Sequence, residues 1–112
     1  MGRIVVVLGR DPVIDIDAII QDAWKTNSEL VILTLGWIPM SHVQQRICDQ
    51  ALEAAGRGLV ELEEKLVFDP ADVPGLLHED DRVHLAVSSL ELKRIEAGGQ
   101  PMPSESWEMG IG

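Results

Sequence analysis

The chain has little from which to build a redox, metal or disulfide framework: Cys48 is the single cysteine in 112 residues. One thiol excludes an intramolecular disulfide and a Cys-rich metal site, and no pair of the three histidines has metal-ligand spacing. Aromatics are scarce, with three Trp, one Phe and no Tyr, so the core must be mostly Val, Ile, Leu and Ala. No apolar run approaches the roughly 20 residues that span a bilayer. Bases are few: 9 against 19 acids, a formal net charge of −10. Such a surface repels nucleic acid and anionic lipid, so neither is expected as a partner. No signal-peptide pattern opens the chain, and the expected location is the cytoplasm.

The composition is ordinary for one globular domain, 46% hydrophobic and 25% charged. The run Arg3-Ile4-Val5-Val6-Val7-Leu8 closes on Gly9 and shows no polar alternation, which is the pattern of a strand covered on both faces of a parallel sheet. Gly9-Arg10-Asp11-Pro12 then turns the chain. Ile16, Ile19, Ile20, Ala23 and Trp24 form a helical stripe that Asp15 or Asp17 can cap and Asn27-Ser28 ends. Leu30 to Leu35 repeats the buried-strand pattern, completing a right-handed βαβ unit.

Ser41-His42-Val43-Gln44 has capping-box spacing and opens a helix with Val43, Ile47, Ala51, Leu52 and Ala55 inward, stopped by Gly56-Arg57-Gly58. Residues 59–68 admit a helix by composition, but the flanking glycines and Val67-Phe68 favour a charged edge strand. This strand should lie beside the second, with Leu62 and Leu66 inward. Asp69-Pro70-Ala71-Asp72 signals a helix start that Pro74-Gly75 cuts short. Val83 to Val87 is another strand, and Ser88-Ser89-Leu90-Glu91 a second capping box opening a helix to Gly98-Gly99. The order implies an α/β fold, a Rossmann-like three-layer sandwich with a mostly parallel sheet of about four strands. Residues 1–99 make the domain, and 100–112 an irregular C-terminal tail without a convincing fifth strand.

Several of these segments resemble the universal stress protein family. RIVVVLGRD is similar to its opening strand and loop, SELVILTLGWIP to its second strand, LVFDPADV to its third strand and turn, and DDRVHLAVSSLELKRIEAGG to its fourth strand and following helix. The resemblance covers about residues 3–99. It implies a regulatory or stress-related protein without catalysis, acting by self-association, as a homodimer, or on a protein partner. The ATP-binding members have an Asp where Leu8 stands and a Gly-x2-Gly-x9-Gly-Ser/Thr loop where this chain reads Ser88-Ser89-Leu90-Glu91-Leu92-Lys93-Arg94. The glycine motif for ATP is thus absent, and the resemblance leaves the cofactor unknown. VHLAVSSLELKRI also resembles the active segment of the sulfur-relay family of small α/β proteins, but without the sulfur-carrying thiol.

The candidate site is the carboxyl edge of the sheet, where parallel folds bind ligands at the reversal of strand order. Gly9, Arg10 and Asp11 after the first strand, and Ser88 and Ser89 at the last helix start, would converge there on a nucleotide or other anion. The plain alternative is that Gly9 only turns the chain and Ser88 only caps a helix. Cys48 reads as an inert buried thiol, His84 as a core or interface histidine and His78 as exposed. His42, at a helix start, is a further candidate for contact with an anion. The acids between Glu61 and Asp81, faced only by Lys65, read as a solvated face, with a basic partner as the alternative. Trp37, Ile38 and Met40, with Met102, Trp107, Met109 and Ile111, are apolar residues without an evident home, and point to a homodimer.

Overall fold

A computed structural model describes residues 2–36 and 39–97, together with the backbone of Glu108–Met109. In chain order the elements are β1 (Arg3–Leu8), α1 (Ile16–Thr26), β2 (Glu29–Leu35), α2 (His42–Gly56) and β3 (Leu62–Val67). Two 3-10 turns follow (Pro70–Asp72 and Pro74–Leu76), then β4 (Arg82–Ala86), α3 (Ser89–Glu96) and β5 (Glu108–Met109). The sheet order is β3-β2-β1-β4-β5 and every pairing is parallel. The fold is the expected Rossmann-like three-layer sandwich. Its tail, read as irregular, contributes the two residues of β5 beside His84 and Leu85.

β1 is buried on both sides because successive side chains alternate between faces. Ile4, Val6 and Leu8 join Ile16, Ile19, Ile20, Ala23, Ile47 and Cys48 beneath α1 and α2. Val5 and Val7 join Val31, Leu33, Val73, Leu85 and Ile95 on the opposite face, beneath α3 and the 3-10 turns. One valine-rich strand therefore supplies both cores.

The helix stripes differ from the sequence pattern at their flanks. Trp24 is 62% and Leu52 is 52% exposed, although both were expected inward. At about 100° per residue, Trp24 lies on the edge of the stripe set by Ile16, Ile19, Ile20 and Ala23. On α2 the fully buried residue of the first turn is polar Gln44, not Val43, and this rotates the inward face away from Leu52. Asp15 caps α1 by accepting from the Ala18 amide at 3.2 Å, while Asn27 ends it at φ 52°, in the left-handed region that Asn tolerates.

β3 is an edge strand beside β2, as the sequence suggested, with Leu62 packed on the first core and Glu63, Glu64 and Lys65 exposed. From there the chain must cross β2 and β1 to reach β4. Two 3-10 turns make this crossover in place of a helix, and a part-buried ion pair ties it to β1. Arg3 Nε and Nη2 donate to both carboxylate oxygens of Asp81, at 3.1 and 3.0 Å, and Nη2 also reaches the Leu76 carbonyl. The Asp81 side chain is only 2% exposed and also accepts from the His78 amide. A second ion pair, Arg82–Asp22, ties β4 to α1.

Candidate functional site

The carboxyl ends of β1 and β4 lie side by side, since Leu8 is in register with Ala86 and the Gly9 amide donates to the Ala86 carbonyl at 2.8 Å. Helices α1 and α2 cover one face and α3 the other, so this is the point at which the direction of winding reverses. A cavity of about 270 Å³ opens there, lined by Arg10, Asp11, Ser88 and Glu91. Of the five expected residues, Arg10, Asp11 and Ser88 reach the cavity wall. Ser89 is exposed on the first turn of α3, and Gly9 is buried beneath the crevice.

The residue that decides the chemistry is Glu91, read from the sequence only as a capping partner. Its carboxylate accepts from the Ser88 amide at 2.8 Å, while its own amide donates to the Ser88 hydroxyl at 3.2 Å. That is the capping box. The same carboxylate also accepts from the Arg10 amide at 3.0 Å, across from the end of β1. Two amides that converge at the switch point are thus directed at an anion that the chain itself carries. The charge-assisted bonds suit it, and the amino end of α3 adds a favourable dipole.

Gly9 is explained by this arrangement rather than by a turn. A Cβ built there would lie 2.8 Å from Glu91 Cδ, so any side chain would displace the carboxylate. Charge in the crevice is unfavourable for a phosphate: Asp11 and Glu91 stand against Arg10 alone. The Arg10 guanidinium donates to the Pro39 carbonyl at 3.1 Å and packs near Gly36, which binds it to the loop after β2.

Gln44 fixes the floor of the site. Its Nε2 donates to the carbonyls of Gly9 at 2.8 Å and Leu35 at 2.9 Å, and its Oε1 accepts from the Ser41 amide at 2.9 Å. One fully buried amide therefore closes the α2 capping box and joins the ends of β1 and β2. Sequence spacing identified its capping role; its reach into the sheet has no local signal.

The other titratable candidates lie elsewhere. Cys48 is buried on α2, its Sγ 3.8 Å from the Thr34 hydroxyl, and burial, the largest influence, pushes its pKa up. Reactive thiols need the reverse shift. His42 and His78 are exposed and His84 is half-buried. Among the described residues no group of three His, Cys, Asp or Glu side chains is placed to hold a metal ion, and no helix is long and apolar enough to cross a membrane. A wider cavity of about 710 Å³, lined in part by Arg3, Trp24, Glu29, Leu59 and Glu61, lies at the opposite end of the sheet.

Of the apolar residues without an assigned place, Met40 packs against the first core and so has one. Trp37, Ile38, Met102, Trp107 and Ile111 lie outside the described residues, as does the Met109 side chain. Comparison with protein-family models, curated proteins and solved structures finds no match to this chain.

Proposed function

We propose that this is a non-catalytic regulatory or stress-related α/β protein of the cytoplasm, similar to universal stress proteins, that acts by self-association as a homodimer or on a protein partner. The observation that supports the part of this reading without a bound nucleotide is the position of Glu91. Where a nucleotide-binding relative would offer amides to a phosphate, the amides of Arg10 and Ser88 already hold a carboxylate of the same chain. A phosphate entering the crevice would have to expel that carboxylate and sit beside it and Asp11. Like charges at such separations cost several kcal/mol when partly desolvated, on the order of what two amide bonds return. Cys48 is buried on α2, away from the segment that resembles the sulfur-relay family, and burial pushes its pKa up, so it does not replace the missing sulfur-carrying thiol.

Isothermal titration with ATP and AMP tests this. The expected result is no heat of binding at millimolar nucleotide. Micromolar binding that Arg10→Glu abolishes would replace the reading with its competitor, a small nucleotide- or anion-binding protein using Gly9, Arg10, Asp11, Ser88 and Ser89.

A further inference from the structure

Among the described residues β3 ends the sheet, and its backbone directions can be read from its bonds to β2. The Leu30 amide donates to the Glu61 carbonyl at 2.8 Å, and the Gly36 amide to the Val67 carbonyl at 3.1 Å. Odd-numbered residues of β3 therefore turn their peptide groups toward β2. Even-numbered Leu62, Glu64 and Leu66 turn theirs outward, because hydrogen-bonding direction alternates along a strand. Leu62 and Leu66 are only partly buried, and Glu63, Glu64 and Lys65 are exposed.

From this we infer that a second copy of the chain docks on β3, antiparallel, about a two-fold axis at Glu64, making one continuous sheet across both subunits. The inference rests on the self-association reading and names its surface. The segment Leu62-Glu63-Glu64-Lys65-Leu66 is complementary to its own reverse. With the axis at Glu64, Leu62 faces Leu66 of the second copy and Glu63 faces Lys65 of the second copy, each twice. The outward peptide groups of Leu62, Glu64 and Leu66 then form the hydrogen-bonded pairs. The Glu63–Lys65 pairs fall at the non-hydrogen-bonded positions, where opposing side chains approach most closely.

Neighbouring registers lack this match. Moving the axis to Lys65 sets Lys65 against itself and leaves no Glu–Lys pair. Moving it to Glu63 keeps a Glu61–Lys65 pair but sets Glu63 against itself and each Leu62 opposite Glu64. The one like-charge contact in the favoured register, Glu64 against Glu64 at the axis, opposes this pairing and is offset by the four surrounding complementary contacts. Charge on an edge strand ordinarily prevents pairing; here its order makes the edge selective for its own copy.

Charge reversal tests the register. Light scattering and sedimentation at about 0.15 M salt, where screening confines charge effects to neighbours, should find twice the 12.3 kDa chain mass. Lys65→Glu and Glu63→Lys should each weaken the dimer by about tenfold or more, since two attractive pairs become repulsive. The double variant Glu63→Lys/Lys65→Glu should restore it. Glu63, Glu64 and Lys65 are exposed, so the variants should fold, and circular dichroism checks that they do. A wild-type dimer indifferent to the single changes, or a double variant as weak as the singles, overturns the β3 pairing and leaves self-association standing. A wild-type chain that stays at 12.3 kDa at every concentration scattering can reach overturns both.

Discussion

If Gly9 exists to admit the Glu91 carboxylate, changes at the two positions must fail to add. Glu91→Ala removes the acceptor for the Arg10 and Ser88 amides. Half-exposed charge-assisted bonds of this kind, with the cap they complete, are worth about 1–3 kcal/mol together. Gly9→Ala places a Cβ 2.8 Å from Glu91 Cδ, so the carboxylate must leave and the same bonds are lost. Each single change therefore incurs the same loss, and the double variant should lose it once. The expected coupling is about 1–3 kcal/mol. Gly9 does not have a positive φ, so alanine fits its backbone once Glu91 is gone. In the Glu91→Ala background Gly9→Ala should be neutral, or stabilising by about 0.4–1 kcal/mol through the unfolded chain. Urea unfolding of the four proteins measures this, with midpoints displaced by roughly 1 M for each 1–3 kcal/mol. Additivity within about 0.5 kcal/mol would refute the reasoning.

Gln44→Met keeps the side-chain volume but leaves the Gly9 and Leu35 carbonyls without their buried donor. It should cost about 2–6 kcal/mol in urea unfolding, at about 1–3 for each unpaired group, whereas Gln45→Met on the exposed face should change stability by less than about 0.5. Asp81→Ala strands the part-buried Arg3 at the crossover; losing these charge-assisted bonds should cost about 2–3 kcal/mol, less than the ~3–5 of a fully buried pair, and lower Tm by on the order of 10 °C, and a drop of only a degree or two would mean the ion pair does not hold the 3-10 turns. Cys48 has a raised pKa in the fold, so it favours the protonated thiol there. Its contribution to stability is complete below the unfolded thiol value of about 8.5 and is lost as pH rises from there through the folded value. Cys48→Ala should accordingly flatten the alkaline fall in stability, and an unchanged pH profile would show that the thiol does not ionise on unfolding.

The fold was legible because its signals are local and redundant. The Val-rich β1, the two capping boxes at Ser41 and Ser88, and the Asn27 stop each correspond to a boundary in the structure. Charge in residues 61–65 marked β3 as an edge strand, since a central strand cannot carry it. The candidate site was legible only as a place. Strand order set Arg10, Asp11 and Ser88 around one cavity, but the Glu91–Arg10 bond spans 81 positions and has no local signature. Gln44 escaped for a related reason: an apolar count passes over a buried polar residue, and the α2 stripe was consequently rotated onto Leu52.

The most direct test of the account watches the two amides themselves. Amide resonances of Arg10 and Ser88 in a 15N-labelled chain report whether Glu91 or an added anion occupies the crevice. With Glu91 in place, millimolar ATP should leave both unmoved, while Glu91→Gln, which removes the charge, should shift both. Saturable movement of these two amides with micromolar ATP in the unaltered chain would contradict the claim that the protein fills its own anion site.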